Sequence, residues 1–460
     1  MKTRQHPISR SRLATCSILA ALLIPAQGSA DETAYEEPPT LSAAALAPDH
    51  LLSGPHHRVD DAVPTDGFLA HYAIESAAGA LSAVGPGRLE ARIREIEATA
   101  VLHELEQSDE LKSGAKRSAA QTAAGIRHFV DEPEETIKGI PEGVGRFLKR
   151  SYRSAKTGVQ TLRDAREGRV PGIPEESGPG SNLPGGAQEL PQPPAGSQLY
   201  KEAARAAGNA AVDVLGYEEN RRHLARRLGV DPYTTNPVLA RKLDEVAWSA
   251  FAGNLGMDVV TSLVPGGTLA RTSTVLSEWV WETHPGDLQV PFEQSLLGMG
   301  VEPRSVDLLR RLLWCPLSVQ AALVSALREL EGVSGRADIM PLALTVASEE
   351  QARFLVDSLR MTARYHQTVK PLQALVVRGT VAAIADDGEL VVAAPADVLS
   401  WTAAVDRFTG QEGFSVPTRS LHLAGRATAS ARSELEARGW SLHEDSILFI
   451  PMIAPAAPGG

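Results

Sequence analysis

The feature that most constrains this chain is a stretch near its middle that cannot form a packed core. Residues 171–198 contain seven prolines and six glycines and no aromatic residue. Proline lacks a backbone donor and glycine loses much conformational entropy on ordering, so such a stretch does not continue a helix or a strand. We interpret residues 171–198 as a linker that divides the chain of 460 residues into an N-terminal helical region and a C-terminal globular part.

The N-terminus has the layout of a secretory signal peptide. Basic residues precede an apolar run at residues 13–24, and small residues follow this run at 28–30. The run is too short to cross a bilayer, which favours a cleaved signal over an anchor or a buried helix. We therefore expect cleavage before Asp31 and a periplasmic or secreted protein. No later uncharged apolar run is long enough for a membrane span, so none is predicted after signal removal.

The charge balance excludes one class of partner. After removal of residues 1–30 the chain holds 41 basic and 56 acidic side chains, a net charge of −15. An acidic chain is repelled by the phosphates of a nucleic acid, so no nucleic-acid partner is predicted. The mature chain keeps a single cysteine, Cys315, which cannot form an internal disulfide and is predicted to pack as a small apolar residue.

One segment has the opposite charge from the rest. Residues 137–170 contain nine basic side chains and three acidic ones. Val144, Leu148, Tyr152 and Ala155 recur at spacings of four, four and three residues, which places them on one helical stripe. This pattern predicts a basic amphipathic helix of the kind that lies on an anionic membrane surface. The candidate interaction residues are Phe147, Leu148, Lys149, Arg150, Tyr152 and Arg153.

The same stripe has a second interpretation. Residues 67–130 are rich in alanine, and Leu89, Ile93 and Ile96 form an apolar stripe at helical spacing. The basic helix could pack on these helices and have a structural role only. The two interpretations differ in whether Phe147, Leu148 and Tyr152 face solvent or a core.

The remaining segments complete the predicted organisation. Residues 31–66 are acidic, lack a hydrophobic period and are predicted to be a disordered leader. Residues 67–170 and 199–335 are predicted to be helical, and residues 451–460 a disordered tail. Residues 340–450 alternate helix and strand patterns, with Asp387-Gly388 as a hairpin turn, which predicts a small α/β domain. The predicted fold class is thus mostly α with a small C-terminal α/β domain, in a multi-domain chain with a Pro/Gly-rich linker.

Two local patterns could form binding sites. Imidazoles and carboxylates gather loosely near the mature N-terminus, at His50, His56, His57, Asp60, Asp61 and His71. Their spacing is irregular, so we interpret them as a solvated loop and predict no metal site and no cofactor. Residues 421–426 have the pattern of a strand and a glycine turn before a helix. The free backbone N–H groups at the start of that helix could bind an anion, or the segment could serve only to pack the strand against the helix.

Two groups of residues resemble a known family. The first comprises residues 129–133 and 139–144, FVDEP and GIPEGV, and the second residues 228–237 and 251–253, LGVDPYTTNP and FAG. They resemble a family of bacterial exported proteins with no known activity. The resemblance covers well under a fifth of the chain, and it implies export and a shared architecture but no catalytic residue.

These observations lead to one functional hypothesis and one alternative. The chain contains no Gly-x-Ser-x-Gly elbow, His-Glu-x-x-His helix, P-loop or dinucleotide-binding glycine motif. We expect a non-catalytic exported cell-envelope protein that binds an anionic membrane surface or a protein partner through its basic helix. The alternative is a periplasmic hydrolase whose site is assembled from distant residues, which a single sequence would not reveal, so whether the protein is an enzyme stays open.

Overall fold

The computed structural model describes residues 35–107, 216–252, 274–312, 315–411, 414 and 416–452. The predicted signal peptide, the basic helix, the linker at 171–198 and all but two residues of the predicted tail lie outside these described residues. The described parts form an N-terminal β unit, a layer of helices and a C-terminal sheet with helices on both faces.

The N-terminal unit consists of short antiparallel strands and two one-turn helices. Buried Tyr72 and Ile74 alternate with exposed Ala73 and Glu75, so one face of the sheet packs inward. The strands β2, β3, β5 and β6 form a sheet in that order, and β1 pairs with β4. The elements are β1 (Thr40–Ser42), α1 (Ala43–Leu46), α2 (Asp49–Leu52), β2 (Ser53–Gly54), β3 (His57–Val59), β4 (Ala62–Pro64), β5 (His71–Ser76) and β6 (Gly79–Val84).

This unit shows that the predicted fold class, mostly α with a small C-terminal α/β domain, is wrong. Strands occupy positions 40–64, where a disordered leader was predicted, and positions 71–84, where helices were predicted. Together with the C-terminal sheet they make the described fold a mixture of helices and several sheets. The strands have at most six residues each, so their alternating pattern is too short to stand out among the surrounding alanines.

Helix α3 (Arg88–Gln107) connects the β unit to the helical layer. Its first half buries Leu89, Ile93 and Ile96 against the N-terminal strands. Its second half buries Leu102 and Leu105 against α4 (Tyr217–Leu228) and α5 (Pro237–Ala252). One continuous stripe on α3 therefore serves two adjoining cores.

The helical layer is built around one helix that is buried over most of its length, α9 (Leu317–Glu329). Every residue from 318 to 327 is buried, so this part of α9 has no solvent face. The other elements of the layer are α6 (Thr274–Ser277) with a π-helical turn (Glu278–Glu282), α7 (Pro285–Gly298), α8 (Pro303–Arg310) and α10 (Ile339–Thr345). The buried side chains of this layer continue into the core beneath the C-terminal sheet.

The C-terminal sheet has five strands in the order β13-β11-β9-β8-β7. Strands β9, β11 and β13 are parallel, whereas β7, β8 and β9 are antiparallel. Helix α11 covers one face, and α12 and α13 pack in a separate core on the other. The elements are α11 (Glu349–Thr368), β7 (Leu372–Val377), β8 (Val381–Ala385), β9 (Leu390–Ala394), β10 (Val398–Leu399), α12 (Ala403–Thr409), β11 (Arg419–Leu423), β12 (Arg426–Ala427), α13 (Ala429–Ala437) and β13 (Trp440–His443).

Candidate functional site

A polar cleft lies where α3, the loop after α4 and α11 meet. It encloses about 500 Å³ of space, part of which is open to solvent. Arg88, Arg94 and Glu95 line it from α3, Asp231 from the loop, and Arg353 and Asp357 from α11. Gly229, Val230 and Asp231 of the LGVDPYTTNP segment form the wall on the side of this loop. We refer to this site as the ionic cleft.

The α11 wall is organised around Glu349. Its Oε1 atom accepts a hydrogen bond of 2.6 Å from Nε of Arg353 and lies 3.7 Å from Nη2 of Arg88. Burial alone would raise the pKa of Glu349, but Arg353 and Arg88 outweigh burial and bring this pKa to about 2. Burial, together with the like charges of Arg353 and Arg92, lowers the pKa of Arg88 to about 10. Both groups are therefore charged at neutral pH.

The α3 wall is joined to the loop through Glu95, which is almost fully buried. Its Oε2 atom accepts hydrogen bonds from Nη1 of Arg92 at 2.6 Å and from Nδ2 of Asn236 at 3.2 Å. Its Oε1 atom accepts a hydrogen bond of 2.8 Å from the Thr234 hydroxyl. Three side chains thus satisfy one buried carboxylate, which ties α3 to the start of α5.

Asp231 joins the loop to the buried helix α9. Its Oδ1 atom accepts a hydrogen bond of 2.8 Å from the Tyr233 backbone N–H, and its Oδ2 atom accepts one from the Ser318 hydroxyl. Burial raises the pKa of Asp231, and the charge of Arg353 opposes this effect. Burial likewise raises the pKa of Asp357, whose Oδ1 atom is 3.3 Å from Nη1 of Arg360.

The carboxylates of the ionic cleft are already paired with other groups of the protein. Glu95, Asp231 and Glu349 each accept hydrogen bonds from neighbouring protein groups. Ser318 donates its hydroxyl hydrogen to Asp231, and no imidazole lies among the described residues that line the cleft. A serine nucleophile needs a base that removes its proton, usually an imidazole within hydrogen-bond reach. The hydrogen bonds and ion pairs of the cleft join three parts of the fold.

The predicted interaction residues lie outside the residues that the structure describes. They are Phe147, Leu148, Lys149, Arg150, Tyr152 and Arg153. The described chain before them ends at Gln107 on α3, and the described chain after them begins at Gly216 before α4. Both flanking helices belong to one packed unit, in which Nζ of Lys242 is 2.5 Å from Oε2 of Glu106 and the Tyr217 hydroxyl donates to Asp244.

The loose histidine cluster near the N-terminus is spread out by the fold. His57 is buried on β3, His50 is exposed on α2, and His71 pairs with Asp66 at 3.2 Å. Its hydrogen bond with Asp66 raises the pKa of His71. Among the residues that the structure describes, no group of three or more His, Cys, Asp or Glu side chains is placed to hold a metal ion.

The segment before α13, for which anion binding and plain packing were both open, contacts a carboxylate of the chain itself. Oε1 of Glu36 accepts hydrogen bonds from the Thr428 hydroxyl and from the Trp401 backbone N–H. Nearby, the Ala70 N–H donates to Oδ2 of Asp397 at 2.9 Å, and burial raises the pKa of Asp397 to about 7. These contacts attach the N-terminal unit to the edge of the sheet at which its parallel strands end.

A second polar group on the C-terminal sheet was not predicted. His422 on β11 and His443 on β13 lie side by side, with Tyr365 of α11 against the first. Nζ of Lys370 is 2.7 Å from Oε2 of Glu389 and 2.6 Å from Oδ2 of Asp387. The alternation in residues 419–423 could have placed Ser420 and His422 on one face, but only strand pairing brings His443 beside them.

Two further observations concern the cell envelope and chemical reactivity. No helix in the described ranges has both the length and the apolar character needed to cross a membrane. Cys315 is buried, and burial raises the pKa of its thiol to about 12, so at neutral pH it is protonated and a poor nucleophile.

Comparison with known proteins identifies no relative. No protein-family model matches the chain, and neither a curated protein nor a solved structure matches it.

Proposed function

We propose that this chain is a non-catalytic exported protein that binds an anionic membrane surface through the basic segment at residues 137–170. The segment carries nine basic and three acidic side chains within a strongly acidic mature chain. Basic side chains near an anionic bilayer contribute about 1 kcal/mol each, and an apolar stripe adds a part that salt does not screen. The chain would be periplasmic or secreted, as its N-terminus predicts.

The observation that carries this proposal is the burial of the stripe on α3. The alternative interpretation packs the basic helix on the helices predicted at 67–130. In the described part of that region, Leu89, Ile93 and Ile96 already pack on the N-terminal strands. Leu102 and Leu105 pack on α4 and α5. The apolar stripe of α3 is therefore already covered by described residues, which supports an exposed position for Phe147, Leu148 and Tyr152.

The framework also supports the proposal through its connectivity. The chain leaves the described fold at the end of α3 and re-enters it at the start of α4, and these helices share one core with α5. Both ends of the intervening chain are thus held on a single packed unit. A basic segment bound to a surface would therefore stay tethered to the framework at both of its ends.

The first experiment tests the charges. In the mature full-length chain, Lys149→Glu, Arg150→Glu and Arg153→Glu together should weaken binding to phosphatidylglycerol-containing vesicles by roughly a hundredfold, since three contributions of about 1 kcal/mol are lost. Vesicle co-sedimentation measures this binding, with pure phosphatidylcholine vesicles as the uncharged surface. The matched control is Lys112→Glu, Lys116→Glu and Arg117→Glu, which makes the same change in charge outside the predicted stripe.

The second experiment tests the apolar stripe. Phe147→Ala with Leu148→Ala should weaken vesicle binding and leave the melting temperature nearly unchanged. If the two side chains were buried in a core, their removal would instead cost about 2–5 kcal/mol per site. A large loss of stability, with no vesicle binding by the parent protein, would overturn the proposal. Binding of the parent protein to an acidic protein but not to vesicles would replace the membrane by a protein partner.

A further inference from the structure

Two neighbouring arginines on α4 are buried, but only one of them has a carboxylate partner among the described residues. Arg221 is 9% exposed and Arg222 is 3% exposed. Nε of Arg221 is 2.6 Å from Oδ1 of Asp244, so its charge is paired. Arg222 donates a hydrogen bond of 3.3 Å from Nε to the carbonyl oxygen of Trp281. Its Nη1 atom is buried and forms no hydrogen bond with a described residue.

The charge of Arg222 is not compensated by the described part of the chain. Two carboxylates of this region are engaged elsewhere, since Asp244 pairs with Arg221 and Asp231 accepts a hydrogen bond from the Ser318 hydroxyl. No described carboxylate forms an ion pair with Arg222. A guanidinium inside a protein is strongly disfavoured unless it is paired, because it has lost its hydration. The surroundings of Arg222 therefore lack one negative charge.

A second unused donor lies near this guanidinium. Tyr233, in the loop after α4, has a buried hydroxyl group that forms no hydrogen bond with a described residue. Burial raises the pKa of Tyr233, and the charge of Arg222 is the largest influence that opposes burial, so the two groups are close enough to interact. Glu218 and Asp231 act on Tyr233 in the same direction as burial. The hydroxyl therefore keeps its proton at neutral pH and can donate a hydrogen bond.

The π-helical turn (Glu278–Glu282) forms the third wall around Arg222. The carbonyl oxygen of Trp281 in this turn accepts the hydrogen bond from Arg222. The indole Nε1 of the same residue donates a hydrogen bond of 3.3 Å to the carbonyl oxygen of Val230, which fixes the loop after α4. Short π-helical turns are rare and occur frequently at functional sites.

We propose that Arg222 and Tyr233 bind a small oxyanion, a carboxylate or phosphate group, between α4, the loop that follows it and the π-helical turn. The planar guanidinium presents its N–H donors in a geometry that matches either group. Oxygen atoms of the ligand would accept hydrogen bonds from Nη1 of Arg222 and from the Tyr233 hydroxyl, the two donors that the described fold leaves unused. This site is independent of the basic segment and of the membrane binding proposed above.

The first test is isothermal titration calorimetry of the mature full-length chain with sodium phosphate and, separately, with sodium acetate. Sodium chloride keeps the ionic strength constant. We expect one anion bound per chain, and the salt that binds shows whether the site takes a phosphate or a carboxylate group. Arg222→Met should weaken this binding by roughly tenfold or more, because it removes a charged hydrogen-bond donor. Tyr233→Phe keeps the ring, lacks the hydroxyl and should weaken binding by a smaller factor.

The second test is the melting temperature, which separates a binding residue from a structural one. Without phosphate or acetate, Arg222→Met should melt at the same temperature as the parent chain or higher, because it removes an uncompensated buried charge. The anion that binds should raise the melting temperature of the parent chain by more than that of the variant, which reports only the general effect of the salt. A much lower melting temperature of the variant without either anion would show that the fold itself compensates Arg222, and would overturn the proposal.

The matched control is Arg226→Met, one turn further along α4. Nη1 of Arg226 is 2.7 Å from Oε1 of Glu282, and its side chain is more than a third exposed, so this change should leave anion binding unaltered. If the parent chain bound neither phosphate nor acetate, the proposal would be wrong. Equal affinity in the parent chain and the Arg222→Met variant would also overturn it. An equal loss in Arg226→Met would do the same, because it would indicate general attraction of anions to α4.

Discussion

The ionic cleft and the stacked rings of His422 and His443, here called the imidazole pair, are two polar clusters in one fold. They avoid the free-energy cost of an unpaired buried charge in different ways. In the cleft, Glu95 and Glu349 accept hydrogen bonds from arginines and neutral donors that the fold places beside them. In the pair, His422 avoids the cost by remaining uncharged. A buried charge must be paired because its desolvation costs several kcal/mol, whereas a ring that stays neutral avoids that cost. The first cluster is therefore stabilised by its ion pairs and hydrogen bonds, and the second by keeping His422 uncharged.

The largest expected effect comes from breaking the ionic cleft. Arg353→Met should destabilise the protein by up to about 3 kcal/mol, because it leaves the partly buried carboxylate of Glu349 without its closest cation. Urea unfolding followed by circular dichroism measures the loss. The control is Arg311→Met, whose partner Asp307 is more than half exposed and whose loss should stay within about 0.5 kcal/mol.

A double variant shows whether the cleft is a matched network. Glu349→Gln combined with Arg353→Met should be less destabilising than the sum of the two single changes. Each single change leaves one charge of the Glu349–Arg353 pair without its partner, whereas the double change removes both charges. Additive losses would contradict the description of this cleft as a closed set of ion pairs.

The two clusters should also differ in how their contribution to the unfolding free energy depends on pH, and this effect is smaller. The folded-state pKa of His422 is lowered to about 4 from an ordinary value of 6.5, so the unfolded chain binds more protons between these values. Stability from this residue is full above pH 6.5 and is lost as the pH falls through 4, by at most about 1.4 kcal/mol per pH unit. Glu349, with its pKa lowered to about 2 from 4.5, loses its contribution only at more acidic pH.

The measurement is the difference in unfolding free energy between the parent chain and His422→Phe from pH 4 to pH 7. Phenylalanine keeps the ring against Tyr365 but does not titrate, so the variant should lose less stability than the parent on acidification. The comparison cancels the opposite trend of Asp397, whose raised pKa of about 7 makes the fold more stable as the pH falls. Parallel curves would show that His422 does not titrate in this window.

These clusters also show what the sequence alone could predict. The apolar stripe of α3 and the hairpin turn at Asp387-Gly388 depend on neighbours within a few residues, and the structure confirms both. The hydrogen bonds from Thr234 and Asn236 to Glu95 span 139 and 141 residues, and no local pattern indicates them. The imidazole pair depends on the register of two strands joined through a helix. The N-terminal strands were missed because their alternation is too short to outweigh alanine-rich composition.

The smallest expected effect concerns a charge pair between β12, in the two-stranded sheet of β10 and β12, and the loop after β13. Nε of Arg426 is 2.8 Å from Oδ2 of Asp445, but both side chains are well over half exposed. Water and salt screen such a pair, so Arg426→Ala should change the unfolding free energy by less than about 0.5 kcal/mol, and the change should vanish at high salt. Urea unfolding at low and high salt measures both. If Arg426→Ala cost as much stability as Arg353→Met, an exposed ion pair would be worth as much as one in the ionic cleft. Burial would then not explain why the charges of the cleft stabilise the fold.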